Sequence, residues 1–315
     1  MNSAETLLRT RAPYDASGML DFLTAHAVPG RDLVRGVGQN ESLASSHALD
    51  VPGGTALAHL DWAGLREEGD EVLLPVRFEL PLATDLEAAT AALRRVLDFD
   101  ADPSEIASTL GSDAKLGALV ARRPGLRMPG ARNPQEFALG TVLGQQVSLA
   151  AARTLQGRLA SQFACDEPDG AVATAGFVSA PDVARIAATD AAELRERIGL
   201  TMARAETLRT LATALADGLD VGPAADHAVT RAQLLALRGI GPWTVEIIAM
   251  RAMRDVDAYP AGDLILRRVL GTRTDRETRA LADGWRPFRG YATQHLWADF
   301  LAGAPQRGSA AMPSL

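Results

Sequence analysis

In the stretch LRGIGPWTVE, Leu237 to Glu246, two glycines flank one isoleucine and Pro-Trp follows at once. Further on, DVDAYPAGDLILRRVLG places Asp263 behind Pro260 and Gly262 and directly before an apolar run. A glycine-framed turn opening a helix presents free backbone N–H groups, which suit a phosphate. A carboxylate held near such a turn could stabilise an oxocarbenium-like sugar cation, or orient water on C1′, as a glycosidic bond breaks. Together these residues suggest N-glycosidic chemistry on a duplex backbone.

The elements that must position them can be read from the same residues. Thr230, with Gln233 three positions later, predicts a capped helix with Leu234, Leu235 and Leu237 on its apolar side. Gly239 suits the left-handed position after that helix, and Pro242 the first turn of the next. The second helix is expected to bury Val245, Ile248, Ala249, Ala252 and Met253 on one face, with Glu246, Arg251 and Arg254 opposite. This is a helix–hairpin–helix. Gly239, Ile240, Gly241 and Thr244 are its candidate contacts to a DNA backbone, which position a duplex without reading its sequence. An ordinary tight helix–helix turn is the alternative reading. Asp263 also fits an N-cap, a role compatible with catalysis.

The bulk properties narrow the chemistry. The 315 residues are 47% hydrophobic and 23% charged, as expected of a globular chain with an ample core. Cys165 is the only cysteine, which excludes an intrachain disulfide, a cysteine-ligated zinc and an iron–sulfur cluster. The five histidines show no metal-ligand spacing. Lys115 is the only lysine, which constrains Schiff-base chemistry. The net charge of −7 opposes a nucleic-acid partner taken alone. Yet residues 231 to 273 carry seven arginines against four acids, a local positive window. No apolar leader or membrane-length run is present, so a soluble, cytoplasmic protein with no membrane partner is expected.

Along the chain, ASGMLDFLTAHAV (16–28) reads as a short helix, and residues 55–62 and 71–80 as strands, the second alternating at Val72, Leu74, Val76 and Phe78. After about residue 84 the sequence becomes Ala/Leu-rich with helical period, predicting eight to ten helices and no strands. The fold class is α+β, mainly α. A small mixed domain on an antiparallel sheet (1–84) precedes a two-part helical core (85–301), and a flexible tail (302–315) ends the chain. The lobes of the core are about 134–230, and 85–133 plus 231–301.

The segment LRGIGPWTVEIIAMRAMRDVDAYPAGDLILRR resembles the helix–hairpin–helix/Gly-Pro-Asp signature of DNA base-excision glycosylases. RAPYDASGMLDFLTAHAV, RRPGLRMPG, VLGQQVS, IGLTMARAETLRTLA and FRGYATQHLW extend the likeness to the DNA-3-methyladenine glycosylase II family, from about residue 12 to 301. The resemblance implies that Asp263 is the catalytic carboxylate and that Phe22, Trp243 and Trp297 form an aromatic pocket for a flipped base. It places Gln146 as the duplex wedge, where the family has leucine. It gives Ile247 and Leu264 where the family has further aromatics.

It also implies a Na+ or K+ ion on the backbone carbonyls of Leu235, Leu237 and Ile240, with no other cofactor. Trp243 stands where lyase-competent relatives have lysine, so a monofunctional enzyme leaving an abasic site is expected. The implied activity is excision of alkylated purines, chiefly 3-methyladenine, from double-stranded DNA by a monomer, with 7-methylguanine and hypoxanthine as further substrates. The alternatives are a glycosylase of the same fold for a mismatched or oxidised base, and a non-catalytic hairpin DNA binder.

Overall fold

A computed structural model describes residues 2–36, 43–166 and 175–303. Six strands, β1 (Asn2–Arg11), β2 (Asp32–Arg35), β3 (Ala44–Val51), β4 (Gly54–Asp61), β5 (Arg66–Glu68) and β6 (Glu71–Leu80), form one antiparallel sheet. Its order is β1-β6-β4-β3-β2, with β5 on β6. Val72, Leu74, Val76 and Phe78 all turn into the core, as their period-2 spacing requires. Strand β1 lay outside the expected sheet. It pairs along its length with β6, yet only Leu8 and Thr10 of its side chains are buried, so it carries too weak an apolar alternation to read.

Helix α1 (Ala16–Ala25), capped by Asp15, and helix α2 (Leu86–Leu97) pack on this sheet. Met19, Leu23, Leu93 and Leu97 share a core with Leu74 and Phe78. The helix that follows residue 84 therefore completes the core of the sheet.

The remaining helices are α3 (Pro103–Leu110), α4 (Leu116–Arg122), α5 (Pro134–Leu143), α6 (Leu149–Phe163), α7 (Val183–Ala188), α8 (Ala191–Ile198) and α9 (Met202–Ala216). They continue as α10 (His227–Ala236), α11 (Pro242–Arg251), α12 (Leu264–Leu270), α13 (Asp275–Leu281) and α14 (Arg289–Gly303). They are more numerous and shorter than expected, because periodic runs are cut by caps rather than by long loops. The run EFALGTVLGQQVSLAAARTLQGRLASQF is one example. It breaks at Gly144 to Ser148, where Gln146 takes φ +54° and Ser148 caps α6. Helix α14 runs to Gly303, and the rest of the expected tail lies outside the described residues. No described helix is long and apolar enough to cross a membrane.

Two helical cores result. One joins α5, α6, α8 and α9, and the other joins α3, α4, α12 and α14. Helix α11 is shared between them. Val245, Ile248 and Ala252 enter the first core, while Ala249, Met250 and Met253 enter the second. A helix buried on nearly all sides is a rigid spine on which to mount a site.

Buried charges join the sheet to the helices. Arg31, wholly buried, donates to Asp50, to Glu136 in the first turn of α5, and to the Val178 carbonyl. Arg132 pairs with Asp32, which also accepts from His47 at 2.7 Å and from the Val28 amide at 2.8 Å. Burial alone would raise the Asp32 pKa, but the Arg132 guanidinium and the His47 hydrogen bond hold it well below the usual carboxylate range. Asp98 accepts from Arg254, the Met128 amide and the Tyr291 hydroxyl, tying α2 to the end of α11 and to α14.

The blocks RAPYD and RRPGLR, more than a hundred residues apart, meet directly. The Asp15 amide donates to the Gly125 carbonyl, Arg123 pairs with Asp15, and Arg127 lies over the Tyr14 ring at 5.2 Å. Gly125 has φ +74°, and a Cβ there would stand 2.2 Å from the Pro13 carbonyl oxygen. Gly125→Ala is therefore expected to lose about 1–3 kcal/mol from backbone strain alone, and more from the clash. Urea unfolding of the variant checks this.

Candidate active site

A cavity of about 210 Å³ opens between α1, α5, α6, α11 and α14. Trp243, Ile247 and Arg251 line it from α11 at spacing i, i+4, i+8, which puts all three on one side of the helix. Phe22 on α1 and His26 at the C-cap of that helix, one turn later, form another wall, and Trp297 enters from α14. The N-terminal domain thus builds part of the site.

Asp263 lies at the start of α12 and is 3% exposed. Its Oδ1 accepts from the Leu266 amide at 3.0 Å and from the Trp297 indole at 3.1 Å, and its Oδ2 accepts from the Trp243 indole at 3.0 Å. Three donors converge on an acceptor-only group, so capping and site assembly occur together. The loop before it is fixed as well. The Asp263 amide donates to the Pro260 carbonyl at 2.8 Å, and the Tyr259 amide donates to Glu246 of α11 at 2.9 Å.

The hairpin is formed by α10, the turn at Leu237 to Gly241, and α11. Gly239 has φ +89° and packs so closely on Thr207 that a Cβ would lie 2.1 Å from its hydroxyl oxygen. Pro242 opens α11 as expected. The start of α10 differs. Asp226, not Thr230, is its N-cap, accepting from the amides of Ala228 and Val229. Thr230 is buried one turn in and donates to the Asp220 carbonyl instead. The Ile240 amide is used within the turn by the Leu237 carbonyl, and the Ile240 side chain is buried. Gly241, Trp243 and Thr244 keep first-turn N–H groups with no acceptor in the helix itself. The Thr244 hydroxyl is not a surface contact, since its side chain is buried and accepts from Gln145 at 3.0 Å.

Gln146 is exposed at the break between α5 and α6. Its neighbour Gln145 fastens that break to the hairpin, donating to the Gly239 carbonyl at 3.1 Å as well as to Thr244. Arg204 donates to the Gln145 carbonyl at 2.5 Å.

The charged groups around the site are used internally. Arg251 is not on a solvated face. It is buried against the cavity and donates to the Pro129 carbonyl and the Gln294 side chain. Asp255 and Asp257, which precede the loop to Asp263, pair with Arg231 and with Arg286 and Arg289 respectively. The positive window from 231 to 273 is largely spent internally. Among the described residues only Arg238, Arg268 and Arg273 in it are exposed and without a carboxylate partner.

The order of these segments matches two family models. Residues 6–133 match the AlkA N-terminal domain, and residues 139–272 match the HhH-GPD superfamily of base excision DNA repair proteins. The chain is 30% identical over 294 residues to DNA-3-methyladenine glycosylase 2 of Escherichia coli, covering 92% of this chain and 95% of that protein.

The chain belongs to the HhH-GPD superfamily.

It is also 40% identical over 299 residues to a probable bifunctional transcriptional activator/DNA repair enzyme AlkA of Mycobacterium tuberculosis, of which it spans 56%. A solved 3-methyladenine DNA-glycosylase from Archaeoglobus fulgidus shares the fold, with a TM-score of 0.75, 20% identity, and 95% and 100% of the two chains covered. Within this HhH-GPD chain, Leu264 is 64% exposed beside Asp263, while Ile247 lines the cavity. Lys115 donates to the Leu270 carbonyl, at the far end of α12 from Asp263. By helical rise that is about 10 Å from the carboxylate.

His26 and Arg251 were not anticipated as members of the HhH-GPD site. Their signal was helical spacing, four residues past Phe22 and eight past Trp243. His26 stacks on Phe22 with ring centroids 4.0 Å apart, and the Arg251 guanidinium lies over the same ring at 4.7 Å. Burial, with Arg251 and Arg153 nearby, lowers the His26 pKa to about 4. Burial likewise lowers His295, on α14, to about 4. Both refuse in the fold a proton that the unfolded chain accepts near pH 6.5. Their contribution to stability is therefore full above about pH 6.5 and declines as pH falls toward 4. Thermal melts should show the loss, on the order of 2–5 kcal/mol for the pair. His26→Gln with His295→Gln should flatten that slope.

Proposed function

We propose that the protein is a monofunctional DNA glycosylase. It flips damaged purines out of double-stranded DNA, chiefly the alkylated 3-methyladenine, with 7-methylguanine and the deaminated base hypoxanthine as further substrates, and hydrolyses the N-glycosidic bond to leave an abasic site. The observation that carries this reading is the Asp263 carboxylate, held between two cavity tryptophans one loop away from a backbone-presenting hairpin. The names of the relatives support it.

In this reading the hairpin N–H groups hold a phosphate, as anions are held at helix N-termini. Gln146 fills the gap left in the duplex, and extrusion costs a few kcal/mol, least for damaged pairs. Asp263 balances the sugar cation or orients the water. Trp243 and Trp297 offer apolar faces, and their N–H groups keep the carboxylate in place. An alkali cation on the carbonyls of Leu235, Leu237 and Ile240 would add positive charge toward the phosphate, and oxygen donors suit such an ion. The protein acts as a monomer with no other cofactor.

Asp263→Asn should abolish base release while binding to abasic-site DNA persists. Alkaline cleavage of lesion-bearing duplexes and gel-shift assays test the two halves, and full activity in the variant would overturn the assignment. Borohydride should trap no covalent protein–DNA adduct, because no lysine amine reaches Asp263. A panel of alkylated, deaminated, mismatched and oxidised duplexes separates this reading from a glycosylase for another lesion.

A further inference from the structure

Arg251 is a buried cation in the wall of the base cavity, and no carboxylate pairs with it among the described residues. Its partners are neutral: the Pro129 carbonyl at 2.6 Å, the Gln294 side chain at 3.0 Å, and the Phe22 ring. Asp98, the acid whose charge acts on Arg251, is already paired with Arg254. Burial and the neighbouring Arg254 lower its pKa to about 9, which leaves it protonated at neutral pH. An uncompensated buried charge is costly and is kept where something else uses it.

The chemistry of the leaving base indicates what that is. A purine alkylated on a ring nitrogen is a cation, and it departs from C1′ as a neutral molecule. A purine such as hypoxanthine carries no charge, and it departs holding the electron pair of the C1′–N9 bond as an anion. A guanidinium beside it stabilises the second departure and opposes entry of the first kind of base. Phe22, placed by the resemblance in the pocket for a flipped base, already bears a guanidinium and an imidazole on its ring. His26 completes the wall. Its Nδ1 donates to the Phe22 carbonyl at 2.9 Å, which leaves Nε2 of the neutral ring as an acceptor.

We propose that Arg251 is a specificity-determining residue that stabilises the negative charge on a departing neutral purine, and so shifts this enzyme toward neutral lesions relative to cationic ones. The proposal rests on the glycosylase reading above. The C1′–N9 bond breaks with its electron pair going to the purine, whose charge faces Arg251 while Asp263 faces the sugar cation. Water then adds to C1′, and the proton it loses ends on the purine, which completes a hydrolysis with no other reactant.

The test compares single-turnover excision of hypoxanthine, 7-methylguanine and 3-methyladenine by the wild type, Arg251→Gln and Arg251→Lys. 7-Methylguanine carries the same 6-oxo group as hypoxanthine but is a cation, so it separates charge from hydrogen bonding. Arg251→Gln should lower the hypoxanthine to 7-methylguanine rate ratio at least about tenfold, and Arg251→Lys should hold it within about threefold. A merely structural role would lower all three rates together. An unchanged ratio in active Arg251→Gln overturns the proposal, as does a parallel fall of both 6-oxo lesions.

Should Arg251→Gln fail to fold, quenching of wild-type tryptophan fluorescence decides. 9-Methylhypoxanthine should bind more tightly than the 3,9-dimethyladeninium cation, and the reverse order overturns the proposal. Failure of the wild type to release any of the three bases would instead overturn the glycosylase reading, and the fluorescence comparison still decides the charge preference of the cavity.

Discussion

The Asp263 carboxylate is almost wholly buried and accepts from the indoles of Trp243 and Trp297 and from the Leu266 amide. A carboxylate out of water must find donors, and each donor here comes from a different helix. Trp243 comes from α11, Trp297 from α14 and the amide from α12. The three helices must therefore meet at one point. The two cores that share α11 hold them there, since van der Waals packing on both sides of that helix leaves it no room to shift. Glu246, on the same helix, then fixes the loop that delivers Asp263 by accepting the Tyr259 amide.

The charged groups divide the work of the fold from that of the site. Asp32, Arg132, Arg31, Asp50 and Glu136 satisfy one another between sheet and helices, and Asp98 with Arg254 does the same near α2. Such networks are costly to bury, and removing one partner is costlier than the pair is beneficial, so they fix a relative orientation. That orientation brings α1 against α11, which puts Phe22 and His26 opposite Trp243. Arg251 belongs to neither network. Because neutral partners surround it, its charge remains available to the cavity.

Much of this was legible in the residues. The glycine and proline of the hairpin act locally, through backbone dihedrals and a missing N–H, so Gly239 and Pro242 appear where local rules put them. Strand β6 followed from its alternation, and the apolar face of α11 from its period. Legibility ended where side chains compete for partners. Asp226 displaced Thr230 as the cap of α10, because both are good caps and the burial of Thr230 decided between them. The arginine window overstated the exposed positive charge, since a count cannot tell a paired arginine from a free one.

What the sequence by itself determined was the kind of local structure: a sheet then helices, a hairpin whose left-handed turn calls for glycine at position 239, and a carboxylate at a helix start. Those properties depend on interactions within a few residues of one another. Only the tertiary structure decided which side chains share a cavity. Phe22 and Trp297 lie 275 positions apart in sequence and line the same space. Arg251 reads as a surface residue by composition and is buried by packing. Burial and pairing depend on every element at once, and for that reason the electrostatics of this site had to await the fold.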